Sequence, residues 1–196
     1  WKSILNRIFS TKNRVSSYSF PLPIDKKMHG RLGHLRSGRM IYEYISMIDD
    51  DLAAVAYQYT HLAHADVKNF YPSIYTHSIA WALHGKKLIR KPKNLRNFSL
   101  IGNRLDKLFQ NANDGCTNGL PIGPVVSDIV AELILSAVDA LLSNEVRKRR
   151  MSCKIVRFKD DYRFLAKSEA EAKSLVKILQ DSLKQYNLEL NEHKTE

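Results

Sequence analysis

Cysteines are scarce in this sequence and long apolar runs are missing, and each of these features excludes a class of protein. Two cysteines, Cys116 and Cys153, are too few for a disulfide framework or a zinc site, which favours a reducing, cytoplasmic setting. A membrane span needs roughly 20 consecutive apolar residues. The most apolar segment, residues 129–142, contains Glu132 and Asp139. The sequence therefore predicts no membrane partner.

Acidic residues are outnumbered by basic ones, which indicates a polyanionic partner. The 196 residues include 31 Lys and Arg against 20 Asp and Glu, a formal charge of +11. Such a charge favours nucleic acid or an anionic membrane surface, and charge alone does not choose between them. The chain starts at Trp1 without a methionine and stops at Glu196 just after a turn signal, so we expect a piece of a longer protein.

The spacing of apolar residues predicts an α+β protein. Helical spacing indicates helices at about residues 38–59, 76–85 and 99–112, one after Ser127 and one after Ser168. Thr76 and Ser127 are candidate N-caps, and Ser168 with Glu171 forms a capping box. Shorter apolar runs predict strands at residues 61–67, 152–158, 162–166 and 188–190. The order of these elements predicts a mostly antiparallel sheet with helices packed on one face.

Three segments interrupt this pattern, and one helix within it has a mixed composition. Residues 1–36 are basic and rich in turn formers, residues 85–97 form a basic linker, and residues 114–124 form a Gly/Pro-rich loop. The helix after Ser127 has one continuous apolar face. Its polar residues are predicted on the opposite side, away from the core: Glu132, Ser136, Asp139 and Ser143.

Asp160 and Asp161 lie at the tip of the predicted hairpin. Adjacent carboxylates repel each other, so placing them at a strand junction is costly unless a cation neutralises them. Asp-Asp pairs are also common in solvated turns, and the pair alone favours that simpler interpretation. Asp66, at the end of another predicted strand, changes the balance. Aspartates at neighbouring strand ends provide the oxygen ligands that two Mg²⁺ ions need for phosphoryl transfer.

Four segments, in order along the chain, resemble the motifs of reverse transcriptases. Motif A corresponds to residues 65–74 (ADVKNFYPSI), motif B to 118–127 (NGLPIGPVVS), motif C to 158–161 (FKDD) and motif D to 190–195 (LNEHKT). Any one of these segments alone is weak evidence, whereas the ordered set is specific. Within the family, residues 70–77 and the Asp-Asp-Tyr of residues 160–162 most resemble the Abi-like, abortive-infection bacterial reverse transcriptases.

This resemblance implies a right-hand polymerase fold with fingers and palm. Residues 1–60 would be fingers, with a helix at about 38–59, and residues 61–196 would be palm. A fingers-like excursion would occupy about residues 85–115, and the thumb would be absent from this chain. Basic fingers residues would hold the triphosphate or the template, with no assignment of which does which: Lys12, Arg14, Lys26, Lys27, Arg31, Arg36 and Arg39.

The resemblance also assigns catalytic roles. Asp66 and Asp160 match the aspartates that bridge two Mg²⁺ ions, for which Mn²⁺ can substitute, and Asp161 matches an auxiliary metal ligand. Lys194 matches the motif D lysine that protonates the leaving pyrophosphate, although lysines in surface turns are usually just solvated. Tyr71 matches the bulky residue that excludes a 2′-hydroxyl, although it can also be read as a core aromatic.

A set of nucleotide-binding residues follows from motifs A and B. Gly119 and Gly123 permit close backbone approach, and an ordinary turn is the simpler interpretation of that loop. Ile122 stands where retrons and group II introns more often carry glutamine, and Phe158 replaces the usual tyrosine of motif C. The full predicted set is Val67, Phe70, Tyr71, Gly119, Pro121, Gly123 and Ser127.

The implied function is a DNA polymerase that adds dNTPs to a 3′ or protein hydroxyl on an RNA or DNA template and primer. The implied setting is bacterial anti-phage defence in the cytoplasm. A template-independent, protein-primed terminal transferase and a non-catalytic nucleic-acid-binding scaffold stay open as alternatives. A nucleotide cyclase does not fit, because a cyclase has no template for the motif B loop to position. Homo-oligomerisation and accessory domains are left open.

Overall fold

The computed structural model describes residues 2–10, 13–21, 42, 44–46 and 57–195. The elements up to the central loop are α1 (Lys2–Ile8), β1 (Val15–Ser17), β2 (His61–Asp66), α2 (Phe70–Ser73), α3 (His77–His84), α4 (Lys86–Ile89) and α5 (Ile101–Ala112). Those after it are α6 (Val125–Lys148), β3 (Lys154–Phe158), β4 (Asp161–Ala166) and α7 (Glu169–Lys184). Short 3₁₀ turns occur at Pro92–Asn94 and Glu192–Lys194.

The four strands form one sheet in the order β1-β3-β4-β2. The β3–β4 hairpin is antiparallel and β2 pairs antiparallel with β4, whereas β1 runs parallel to β3. The predicted α+β class and the mostly antiparallel sheet are confirmed. The predicted strand at 188–190 is reduced to one bridge, between Leu190 and Val67.

Alternation along the strands sorts side chains onto two faces of the sheet. On one face, residues such as Ile155, Tyr162 and Phe164 join the main core, which the helices cover. On the other face, Val156 and Leu165 form a smaller apolar cluster with Tyr44. Within the described residues, the main helical layer therefore lies on one face of the sheet.

The central helix α6 corrects one sequence-based prediction. Its polar side was expected to face away from the core, yet its four polar residues are buried, with exposures of 3% or less: Glu132, Ser136, Asp139 and Ser143. For Glu132 and Asp139, the reason is Arg157 on β3. Its guanidinium lies 2.8 Å from carboxylate oxygens of both Glu132 and Asp139 and is itself fully buried. A paired cation thus allows charged residues into the core.

The predicted helix caps have mixed outcomes. Ser168 accepts a hydrogen bond from the Glu171 amide at 3.3 Å, as predicted for a capping box. Thr76 occupies the N-cap of α3 but makes no side-chain capping bond. Ser127 is not a cap, because α6 begins two residues earlier, after Pro124, whose ring fixes a φ of −64°.

The described part of the N-terminal region, residues 2–10 and 13–21, is more regular than the loop-rich stretch predicted over residues 1–36. Within it, α1 packs against α6 and β1 extends the sheet. Residues 42 and 44–46 are helical, and the rest of the predicted helix at 38–59 lies partly outside the described residues. Six of the predicted fingers cations also lie outside them: Lys12, Lys26, Lys27, Arg31, Arg36 and Arg39. The division into fingers and palm stays a prediction.

The region between α3 and α6 is also more regular than predicted. The basic linker at 85–97 contains α4 and a 3₁₀ turn, and the next helix begins at Ile101. No helix among the described residues is long and apolar enough to cross a membrane.

Candidate active site

Pairing of β2 with β4 brings the predicted catalytic aspartates to one edge of the sheet. Asp66 is the direct cross-strand partner of Asp161. Side chains of opposed residues lie on the same face with Cβ atoms about 5 Å apart. The amide of Val67 donates to the carbonyl oxygen of Asp160 at 3.2 Å, which fixes the third aspartate beside the other two. We call Asp66, Asp160 and Asp161 the aspartate edge.

The turn that carries Asp160 is fixed from two sides. Lys159 has a φ of 52°, in the left-handed region that non-glycine residues rarely adopt. Its amide donates to Oγ of Ser19, next to β1, and its carbonyl accepts from the Arg157 guanidinium at 3.0 Å. Its Nζ lies 3.7 Å from Asp128 on α6. These contacts hold the hairpin tip in one conformation.

Negative charge at the aspartate edge is only partly compensated. Burial is the largest effect and raises the pKa of the Asp160 carboxyl, a backbone hydrogen bond opposes it, the negative charges of Asp66 and Asp161 raise the pKa further, and Lys159 lowers it slightly. The ionised form of Asp160 is therefore disfavoured relative to a free aspartate. A cation placed among these groups would relieve that repulsion.

The side chains of His64 and Lys194 contact the carboxylates of this edge. The His64 imidazole hydrogen-bonds to Asp161, and Nζ of Lys194 lies 3.7 Å from Oδ2 of Asp66. The motif D segment docks here because the Asn191 amide donates to the carbonyl of Asp66 at 2.8 Å. His64 was missed by sequence reasoning, yet it lies two residues before Asp66 and so shares its face of β2.

No group of three or more His, Cys, Asp or Glu side chains among the described residues is close enough together to hold a metal ion. The Asp161 carboxylate contacts His64, and the Asp66 carboxylate contacts Lys194. The aspartate edge thus offers carboxylate oxygens, which are the ligand type that Mg²⁺ prefers, without a closed metal cage.

Tyr71 lies beside this edge on α2 and is half-buried. Its hydroxyl donates a hydrogen bond to Asp128, and its ring centroid lies 5.9 Å from Nζ of Lys159. Burial and the bond to Asp128 raise the pKa of Tyr71 well above its usual value, so the phenol stays protonated. Asp128, in the first turn of α6, was also missed, and no local pattern links it to Tyr71.

The motif B loop packs directly against α2. The amide of Gly119 donates to the carbonyl of Ile74, and that of Leu120 donates to the carbonyl of Tyr71, both at 2.9 Å. Gly119 and Gly123 have φ values of 92° and 112°, which strain any residue with a side chain. The loop is therefore tied to the element that carries Tyr71.

Comparison with known proteins matches the sequence of this chain to one family. The family model described as "Reverse transcriptase (RNA-dependent DNA polymerase)" matches residues 4–196. The chain belongs to this reverse transcriptase family. No curated protein sequence matches the reverse transcriptase chain significantly.

Two solved structures resemble the fold of this reverse transcriptase domain. The telomerase of Candida albicans, in complex with a fragment of telomeric RNA, matches with a TM-score of 0.51 and 14% identity, over 80% of this chain and 29% of that one. The apo telomerase of Candida tropicalis, truncated from its C-terminal domain, gives a TM-score of 0.49 and 13% identity, over 82% and 34%. The reverse transcriptase domain spans about a third of the length of these structures.

The other predicted nucleotide-binding residues are not all accessible. Pro121 is exposed, whereas Val67, Phe70 and Ser127 are buried in the core, with exposures of 3% or less. Ile122, at the loop tip, is 74% exposed. In this reverse transcriptase domain, the side chains of Val67, Phe70 and Ser127 contribute packing, and only their backbone is left to contact a ligand.

Proposed function

We propose that this chain is the catalytic part of a DNA polymerase that adds dNTPs to a 3′ or protein hydroxyl, with RNA or DNA as template and primer. The observation that carries the proposal is the cross-strand pairing of Asp66 with Asp161, with Asp160 beside them. The family match supports a nucleotidyltransferase. Three carboxylates at one sheet edge supply the groups that two-metal phosphoryl transfer requires.

The side chains of the aspartate edge have the donor chemistry for two Mg²⁺ ions, with Mn²⁺ as a substitute, and their carboxylates would have to draw closer together than in this structure to hold them. Asp66 and Asp160 would hold both ions, and Asp161 would assist. The chemical basis of this proposal is the hard oxygen donors and a negative charge that is only partly compensated by nearby side chains. When bound, the ions would supply neutralisation of the charge that develops on the triphosphate.

Two neighbouring side chains have separate proposed roles. The side chain of Lys194 is 63% exposed and its ammonium lies 3.7 Å from Asp66, which supports its proposed role as the donor of a proton to the leaving pyrophosphate. Tyr71 is anchored to Asp128 through its hydroxyl, which holds the ring in place beside the site. A ring fixed there would exclude a 2′-hydroxyl and favour deoxynucleotides.

The decisive experiment replaces Asp160 and Asp161 with asparagine. Incorporation of labelled dNTPs is followed with Mg²⁺, with and without an RNA template and primer. The double variant is expected to lose at least about 10³-fold in rate, because the charge that holds the ions is gone. A matched control, Asp181→Asn on the exposed surface of α7, should keep full activity. Retained incorporation in the double variant would remove the two-metal assignment.

The sugar preference tests Tyr71. Tyr71→Ala removes the ring and is expected to raise ribonucleotide incorporation relative to deoxynucleotide incorporation by about 10-fold or more. Tyr71→Phe keeps the ring but breaks the bond to Asp128, so it separates steric exclusion from anchoring. An unchanged sugar preference in Tyr71→Ala would mean that another residue excludes the 2′-hydroxyl.

Residues 70–77 and 160–162 support placement in the Abi-like bacterial branch, which implies a cytoplasmic role in anti-phage defence. The same incorporation assay separates the modes of synthesis. Products that need template support reverse transcription. Products formed without template and attached to the protein would support the protein-primed terminal transferase instead.

A further inference from the structure

A large open groove lies away from the aspartate edge, between α3, α4 and α5. Its volume is about 920 Å³. Trp81 of α3 forms part of its wall, with Nζ of Lys86 4.2 Å above the ring, and Asn187 closes it beyond the end of α7. Arg90, Arg96 and Lys107 line it and are all exposed. We call this cavity the basic groove.

The basic groove carries a concentrated positive charge. Four cations line it, Lys86, Arg90, Arg96 and Lys107. The segment that supplies them, residues 86–107, contains eight Lys or Arg and one acidic residue, a net +7 of the chain's +11. The one acidic residue, Asp106, is already engaged, since it accepts hydrogen bonds from His77 and from Gln110. Burial, together with the nearby charge of Arg90, lowers the pKa of Lys86. Cations are thus crowded here without an acidic residue of this segment left to neutralise them.

Exposed apolar groups lie among these charges. Phe98 is 52% exposed and Leu95 is 59% exposed, and both line the basic groove. A positive channel interleaved with aromatic rings is the usual construction of a site for single-stranded nucleic acid, because phosphates meet the cations and bases stack on the rings. A duplex keeps its bases stacked inside and makes no use of an exposed ring.

The basic groove also adjoins the motif B loop. Tyr75 lines the groove and forms a backbone bridge with Asn118, the first residue of that loop. A nucleic-acid strand in the groove would therefore lie next to the motif B loop, which is hydrogen-bonded to the backbone of Tyr71 through Leu120.

We propose that the basic groove binds single-stranded nucleic acid and gives the strand a second contact outside the aspartate edge. Binding by the groove does not depend on catalysis. The statement that the bound strand is template or primer rests on the proposed polymerase function.

Binding of labelled oligo(dT) and oligo(rU), each about 20 nucleotides long, tests the proposal in the full-length protein. The variant Arg90→Gln, Arg96→Gln, Lys107→Gln removes three groove charges. The matched control, Lys2→Gln, Lys154→Gln, Lys167→Gln, removes three exposed charges elsewhere. The groove variant is expected to bind about 10-fold or more weakly, with the salt dependence, as the slope of log K against log salt, reduced by about 2. The control should bind as wild type does.

Phe98→Ala provides a second, charge-neutral measurement. It is expected to weaken single-strand binding by about 5-fold or more through lost base stacking, with the salt dependence unchanged. Equal losses in the groove variant and the control, or a groove variant that weakens only duplex binding, would overturn the proposal. All variants should share the thermal midpoint of the wild type.

Failure of this inference is distinguishable from failure of the polymerase function. Asp160→Asn with Asp161→Asn should lose nucleotide incorporation and still bind the oligonucleotides through the groove. If wild type incorporates no nucleotide but the groove variant still shows its binding defect, only the polymerase assignment fails. If incorporation occurs and the groove variant binds normally, only the groove assignment fails.

Discussion

Acidic side chains lie on both faces of the sheet beside the β3–β4 hairpin, and the two groups differ in whether a buried cation neutralises them. On the helical face, Glu132 and Asp139 share the buried guanidinium of Arg157, and Asp139 also accepts from the Tyr162 hydroxyl at 2.8 Å. Among the described residues, the aspartate edge has no buried arginine of this kind, and the side chains that contact it are the partly exposed His64 and the exposed Lys194. Carboxylates given an internal cation become part of the core, and those left without one can accept a cation from outside.

The same difference is visible in what each group does for its surroundings. The Arg157 guanidinium also donates to the Lys159 carbonyl, so the satisfied cluster beneath the sheet positions the turn that carries Asp160. The buried network therefore acts as a rigid support, whereas in our proposal the charge of the aspartate edge is available to metal ions.

Removal of the buried Arg157 guanidinium should have the largest effect on stability and would abolish the difference between the two acidic groups. Arg157→Met leaves Glu132 and Asp139 buried without a partner charge, and it is expected to lower the free energy of unfolding by about 3–5 kcal/mol. Chemical denaturation measures this. Addition of Glu132→Gln and Asp139→Asn should restore part of the loss, since neutral amides need no counter-ion. A loss below about 1 kcal/mol in Arg157→Met would show that the network is not a stabilising support.

Magnesium should sharpen the comparison, because only the aspartate edge is expected to respond to it. With a dissociation constant of about 1 mM, Mg²⁺ at about 10 mM would stabilise the folded protein by about 1.4 kcal/mol. The readout is the rise in thermal midpoint, which needs no activity. Asp160→Asn with Asp161→Asn should abolish the rise, and Asp181→Asn should keep it. An equal rise in all three proteins would indicate non-specific binding.

Neutralisation of the aspartate edge without metal should have the smallest effect, opposite in sign to that of Arg157→Met. Because the pKa of Asp160 is raised in the folded protein, its ionised form costs stability at neutral pH. Replacement of Asp160 and Asp161 by asparagine should leave the free energy of unfolding unchanged or raise it by a few tenths of a kcal/mol, given solvent screening. Denaturation in a chelator measures this, and a loss above about 1 kcal/mol would contradict it.

The sequence predicts those features that depend on local spacing. The hairpin, the long helix predicted from about Ser127 and the aspartates at strand ends follow from alternation and periodicity. From β2 to α7 the structure has the predicted order of elements, with the short helices α2 and α4 in addition, and the predicted last strand is only a bridge. Motif spacing added the expectation that Asp66 and Asp160 meet, which periodicity alone does not provide.

Features that depend on distant partners could not be predicted. Glu132 and Asp139 were assigned to a solvent-facing side of their helix, because helical periodicity carries no information about Arg157, which pairs with them from strand β3. Asp128 and His64 gain their roles from Tyr71 and Asp161, each far away in sequence. Ser127 looked like a cap because the preference for Ser at that position is strong, and Pro124 moved the start of the helix instead.

The pairing of β2 with β4 has a consequence for the order of folding. The β3–β4 hairpin joins residues that are adjacent along the chain, so it can form early and alone. Asp66 reaches the hairpin tip only when β2, about 95 residues earlier in the chain, pairs with β4. This step is slow, because closing a long loop loses conformational entropy before the stabilising contacts have formed. We expect the two halves of the aspartate edge to come together late. The mutually repulsive carboxylates of Asp66, Asp160 and Asp161 then approach one another only after the supporting core has formed.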